Sequence, residues 1–261
     1  MGKSIAIFNQ KGGVGKTTTN INLAACLAMK KKKVLVLDID PQGNTTTGVG
    51  INKADISKSI YDVLTEKCNI QEAMIKTKYD ELYVIPATIN LAGLDIELIE
   101  KGQHDPGFTK GAQLKKALEP IKERFDFIII DCPPSLGLIT TNALTASNSV
   151  IIPVQCEFFA LEGIMQLLNT IMLAQKQLNP ALEIEGVLLT MLDSRTNLGI
   201  EVVDDIRKFF KEKVYNTIIP RLVRLTEAPS HGEPIIAYDP KSRGSAAYLN
   251  LAKEVIERNG K

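Results

Sequence analysis

The chain has 261 residues, 44% of them hydrophobic and 23% charged, with a formal net charge of +1; this suits a globular protein able to bury a large core. So even a balance excludes whole-molecule attraction to nucleic acid or an acidic membrane, and any such contact must use a local patch. The cysteines at 26, 68, 132 and 156 have neither disulfide nor metal-clasp spacing, and no segment reaches the roughly eighteen apolar residues of a membrane span, which reads as a reduced, cytoplasmic protein.

In chain order, an apolar run from Ser4 to Phe8 feeds the loop Asn9-Gln10-Lys11-Gly12-Gly13-Val14-Gly15-Lys16-Thr17-Thr18. A glycine-rich turn ending in Gly-Lys-Thr and opening into a helix near Lys16 lets backbone N–H groups and a helix N-terminus wrap a polyphosphate. The nucleotide-binding residues are then Lys11, Gly12, Gly13, Val14, Gly15, Lys16, Thr17 and Thr18, with Lys16 on the β/γ-phosphates and Thr17 on magnesium. The general pattern expects glycine at position 10, where this chain has Gln10. The extra Lys11 projects outward, because Lys16 already serves the phosphates from inside. It meets either solvent or a second subunit's phosphates, and a cation delivered in trans to a transferring phosphoryl group is worth roughly 10³ to 10⁵ in rate.

The first helix ends in the run Lys30 to Lys33, which reads as cations complementing a helix C-terminus, with a nucleic-acid contact as the alternative. A strand from Val34 to Leu37 leads into Asp38-Ile39-Asp40-Pro41-Gln42-Gly43, where alternation points both carboxylates toward the phosphate site. Further strands are expected at Leu82 to Ile85, Phe127 to Ile130, Val150 to Val154, Ile184 to Met191 and Asn216 to Ile219. Helices are expected to start near Ser57, Leu91, Gly111, Leu138, Leu161, Leu198 and Ser245. Residues from about 50 to 110 are more polar and less regular, and Lys101 to Gly107 reads as a loop. Asp131 ends a strand of apolar residues, the arrangement that holds magnesium through water, and Pro133-Pro134 stiffens the adjoining segment. In the last helix Leu249, Ala252, Val255 and Ile256 share a side suited to packing on the domain rather than anchoring in a membrane. Strands alternating with helices give an α/β fold, a mostly parallel sheet with helices on both faces, in one domain spanning 1–261. Its ligand site is expected at the C-terminal strand ends.

The string KGGVGKTT, with Asp38 to Asn44 and Ile128 to Pro134, resembles the deviant Walker A ATPases of the ParA and MinD group, nearest to the ParA/Soj partition type. The likeness covers nearly the whole chain, including Leu189 to Asn197 and Pro220 to Gly232. It implies a P-loop NTPase that hydrolyses ATP with Mg2+ by in-line attack of water, at slow turnover. Lys11, Lys16 and Asp40 would be catalytic, Asp40 orienting the water. Thr17, Asp131 and Asp38 would serve the metal, Asp38 through its second shell or through switch geometry. Adenine would lie near Pro220 and Leu222; asparagine is common at the latter position, so a backbone contact fits. ATP would close a homodimer with each Lys11 crossing to the other's phosphates. Arg195 and Arg224 look like the family's positions for nonspecific double-stranded DNA, in a segment from Arg195 to Lys261 with 12 Lys/Arg against 9 Asp/Glu. A ParB/Spo0J-like protein would stimulate hydrolysis on the nucleoid. The alternatives are a MinD-like membrane-associated positioning ATPase and a metabolic P-loop ligase. Ser230-His231 lacks a nucleophile elbow, and Cys132 alone makes no bridging cluster.

Overall fold

The computed structural model describes residues 2–105, 107–157, 160–193, 195 and 197–260. Ser194 and Thr196, beside Arg195, lie outside the described residues, as does Lys261. The chain runs β1 (Lys3–Ile7), α1 (Lys16–Met29), β2 (Val34–Asp38), α2 (Asn44–Gly48), α3 (Ile60–Leu64), β3 (Ile75–Lys76), β4 (Leu82–Ile85), α4 (Leu94–His104), α5 (Gln113–Leu118), β5 (Phe127–Asp131), α6 (Leu138–Ala146), β6 (Ser149–Gln155), α7 (Ala160–Gln177), β7 (Glu183–Thr190), α8 (Asn197–Phe210), α9 (Val223–Glu227), α10 (Ile235–Tyr238) and α11 (Arg243–Asn259).

The strands form one sheet in the order β3-β4-β2-β5-β1-β6-β7, parallel except for the β3–β4 pair. Burial on both faces explains why the strands read as unbroken aliphatic runs. Along β1, Ala6 joins one hydrophobic cluster while Ile5 and Ile7 join the cluster on the other face. Tyr248, Leu251, Ala252 and Val255 of α11 are buried in that second cluster, so the last helix lays its apolar side on the domain. Leu249 and Ile256 are only partly buried there.

Two departures from expectation concern backbone pairing. Asn216 to Ile219 forms no strand: Val214 and Pro220 make only isolated bridges to Val187 and Leu192, and a proline has no N–H to continue a ladder. The antiparallel β3 and the short helices α2, α9 and α10 were not expected, because elements of two to five residues are too short to show a hydrophobic period. The topology brings the ends of β1, β2 and β5 side by side, so the glycine-rich loop, Asp38 and Asp131 share one edge.

Candidate functional site

The loop after β1 is tied down by side chains from distant strands. The Asn9 amide donates to the Pro153 carbonyl at 2.8 Å and accepts from the Lys11 N–H at 3.0 Å. The Thr190 hydroxyl donates to the Val14 carbonyl at 2.9 Å, and Gln10 donates to Thr170 of α7 at 2.6 Å. Gly15, at φ 88°, caps α1 in the left-handed region, where a side chain costs roughly 1–2 kcal/mol. A Cβ placed on Gly12 would meet nothing within 4 Å. Packing within the chain therefore does not demand glycine there, whereas room for a ligand against the backbone does. The first turn of α1 holds neither an acidic residue nor a side-chain cap, leaving its amides and positive dipole end for an anion.

Lys16 is buried and donates to the Lys11 carbonyl at 2.9 Å, so it crosses the loop from inside. Burial lowers its pKa, against the opposing pull of Asp131, Cys132 and Asp40. Lys11 points the other way, half exposed, with its amine 3.6 Å from Glu157, which is equally exposed. Exposed pairs of this kind contribute only about 0–1 kcal/mol.

Asp38 and Asp131 are register partners on adjacent strands, both fully buried. Burial pushes both carboxyls above the ordinary carboxylate range, and for Asp131 the neighbouring Asp38 adds to the effect. Asp38 and Asp40 both act on Asp131, each raising its pKa, so the three carboxyls stand together at this end of the sheet. Asp38 Oδ2 accepts from the Thr46 N–H and hydroxyl, both at 2.7 Å, while its Oδ1 accepts from the Asp40 N–H at 3.2 Å. The cause is α2, which Gly43 (φ 60°) turns back over the end of β2. Asp40 remains half-buried at the site's mouth, accepting from the Gln42 N–H at 2.9 Å.

Thr45 and Thr46 carry much of this geometry, and their sequence context alone does not single them out. The Thr45 hydroxyl donates to Asp131 Oδ2 at 2.7 Å, and the Thr46 oxygen also accepts from the Ala87 N–H at 3.0 Å. A chain of bonds therefore runs from Ala87 through Thr46 and Asp38 to the backbone of Asp40. Thr46→Val is expected to destabilise the fold by about 1–3 kcal/mol, because a buried carboxyl and a buried N–H each lose a partner. It should also slow hydrolysis. Thr46→Ser should restore both, as read by urea unfolding and steady-state turnover.

A magnesium ion fits the donors present. Asp131 Oδ1 is buried without a hydrogen-bond partner, and the Thr17 hydroxyl lies close enough to hold down the Asp131 pKa. An orphaned carboxylate oxygen beside a hydroxyl is the hard-oxygen pairing that magnesium takes alongside phosphates. Beside the loop, Gly15, Thr18, Pro220, Leu222 and Tyr248 line a cavity of about 180 Å³. Pro220 and Leu222 are thus brought to the phosphate loop. Arg195 and Arg224 sit outside this cavity, in exposed ion pairs: Arg195 binds Asp193 through two nitrogens at 2.8 and 2.7 Å, and Arg224 lies 3.3 Å from Glu227. The Arg195 guanidinium holds the Asp193 carboxyl well below its usual range.

A family model described as "AAA domain" matches residues 2–184. The chain is 62% identical over 255 residues to the sporulation initiation inhibitor protein Soj of Bacillus subtilis (strain 168), covering 98% of each. It is 49% identical over 259 residues to the chromosome partitioning protein ParA of Myxococcus xanthus (strain DK1622), covering 99% of this chain and 89% of that one. A crystal structure of cobyrinic acid a,c-diamide synthase from Mycobacterium smegmatis with bound ADP and magnesium superposes with a TM-score of 0.84 at 35% identity, covering 100% of this chain and 97% of that one. Likeness of that degree along the entire length, on a phosphate loop built as described, makes this chain a member of the AAA-domain family and an ATPase of the ParA/Soj type.

Proposed function

We propose that this ATPase is a nucleotide-gated dimer that binds DNA nonspecifically and drives chromosome or plasmid partitioning with a ParB/Spo0J-like partner, on the nucleoid in the cytoplasm. The observation that carries the reading is the division of labour between two lysines on one loop. Lys16 fills the loop's interior, and Lys11 stands at its rim, paired among the described residues with a half-exposed carboxylate. A second protomer's triphosphate is a stronger counterion than Glu157, so ATP joins two copies and hydrolysis releases them.

In this account ATP lies along the Gly12 to Thr18 amides, with Lys16 on its β/γ-phosphates and its base against the backbone at Pro220 and Leu222. Thr17 and Asp131 would hold magnesium, which would supply charge neutralisation on the phosphate oxygens. Asp38 acts through Thr46 and the Asp40 backbone rather than on the metal itself. Asp40, at the mouth, orients the attacking water and takes up its proton as the phosphoryl group transfers. Lys11 of the partner copy meets the charge that spreads over the γ-phosphate.

Arg195 and Arg224 would take DNA phosphates by exchanging weak exposed carboxylate partners for a polyanion. Replacing both with Ala is expected to lower duplex affinity and to reduce the log–log salt slope by about 3.6 for a dimer that loses four phosphate contacts. Titrating a labelled duplex at several salt concentrations with ATP present reads this, and an unchanged slope would remove DNA binding from this surface. The apolar side of α11 is occupied by the domain, which supports DNA over a membrane as the docking surface. The likeness to a diamide synthase favours a ligase as the second reading. ATP turnover that depends on an added carboxylate substrate rather than on DNA would support it.

A further inference from the structure

The run Lys30 to Lys33 is more than a helix-dipole complement. The last turn of α1 itself contains no basic residue, and the dipole's influence fades within that turn. Lys31 already sits in the left-handed region at φ 62°, turning the chain away from the helix axis toward β2. Cations from other elements converge on the same end of the sheet. Lys3 opens β1, Arg124 closes the short helical turn before β5, and Lys32 and Lys33 enter β2. Lys3, Lys32, Lys33 and Arg124 line one cavity of about 370 Å³. Its acidic members are Glu123 and Asp126, and Asp126 is engaged by the backbone N–H of Lys33 at 2.7 Å.

Among the described residues none of Lys30, Lys31, Lys32, Lys33 or Arg124 has an ion-pair partner, while Lys3 reaches Glu185 at 3.3 Å. The neighbouring Lys122 amine is pushed down in pKa by burial and then by Lys115 and Lys3, against the pull of Glu123, so other cations stand close to it. In a molecule of net charge +1, such a cluster is a strong local asymmetry. The available aromatic rings, Tyr83 and Phe125, pack edge to face with Lys33 over them. They are not free to stack on unpaired bases. Met29 is the large apolar side chain exposed in this turn, too little for insertion into a lipid surface.

We propose that this pole is a second, independent contact for the phosphate backbone of duplex DNA. Its location gives the contact a consequence. These cations stand at or just before the N-terminal ends of β1, β2 and β5, whereas Arg195 follows the C-terminal end of β7. A protein with both surfaces can hold one duplex at each end of its sheet and tether DNA segments to one another. The tethering half of the idea rests on the DNA reading of Arg195 and Arg224. The binding half does not.

The test uses the full-length protein with Lys30, Lys31, Lys32 and Arg124 changed to Gln, alone and combined with Arg195→Ala and Arg224→Ala. The probe is a blunt duplex oligonucleotide, and bridging is read as capture of a labelled duplex by bead-held DNA. The Gln variant should hydrolyse ATP at the parent rate and bind bead-held DNA, but capture of the second duplex should fall at least tenfold. The Ala pair alone should retain salt-sensitive duplex binding, with a slope of about 3–4 from four pole contacts, and the combined variant should lose it. An Ala pair that binds no DNA, or a Gln variant that bridges like the parent, would overturn the proposal. So would lysine-dependent capture by phosphatidylglycerol–phosphatidylcholine vesicles without capture of duplex. If the Ala pair instead binds and bridges like the parent, the first surface is misplaced, and loss of binding in the Gln variant still upholds the pole.

Discussion

Asp40→Ala is expected to lower ATP hydrolysis by about 10² to 10⁴, the usual range for losing a positioned general base, while nucleotide binding stays near the parent level. The separation comes from placement. Asp40 stands half-buried at the mouth, and its hydrogen bonds run to Gln42, Gly43 and the Asp38 carboxylate, none of them in the phosphate loop. The polyphosphate cradle is built by Gly12 to Thr18, and none of its hydrogen bonds to Pro153, Thr170 or Thr190 involves Asp40. Removing the carboxyl therefore removes the water's acceptor and leaves the cradle. The variant should accumulate in its ATP-bound form. Single-turnover kinetics with radiolabelled ATP separates this from weaker binding, since a rise in Kd with an unchanged chemical step would place Asp40 in the binding site instead.

Lys11→Ala should have an effect of similar size for a different reason. A cation supplied across an interface is worth roughly 10³ to 10⁵ in phosphoryl transfer, and here its loss would also remove the bond that joins the copies. Among the described residues the Lys11 side chain makes the exposed pair with Glu157, so its removal should leave the folded protomer unaffected. The backbone carbonyl of Lys11, which accepts from Lys16, survives the substitution. Unchanged thermal unfolding, retained ATP affinity at low protein concentration and lost turnover would together show a role beyond the protomer. Lys16→Ala offers the contrast, because it strips a buried cation from among Asp131, Cys132 and Asp40. ATP binding should fail there from the start.

The strands and the phosphate loop were legible because each strand is a bounded aliphatic run in a sheet buried on both faces, and because glycines at φ 75° and φ 88° leave their mark on any sequence that needs them. Asn216 to Ile219 looked like another such run. It lies beyond the sheet's edge, where Tyr215 and Ile219 donate to Val187 and Leu189 while Asn216 and Thr217 turn to Glu254. Side-chain partners far along the chain left no local trace either. Glu157 meets Lys11, and Thr190 grips Val14, only because the sheet order places β6 beside β1 and β7 next to β6. Thr45 and Thr46 stand directly after Asn44, in view, yet their bonds to Asp131 and Asp38 depend on the backward turn at Gly43.

The most direct test is the molar mass in solution of the Asp40→Ala protein by light scattering, with and without ATP and magnesium, beside the same protein carrying Lys11→Ala. The account predicts that ATP doubles the mass of the first and leaves the second at one protomer although both bind nucleotide. A double variant that pairs as readily as Asp40→Ala, or an Asp40→Ala protein that stays single when saturated with ATP, would contradict it.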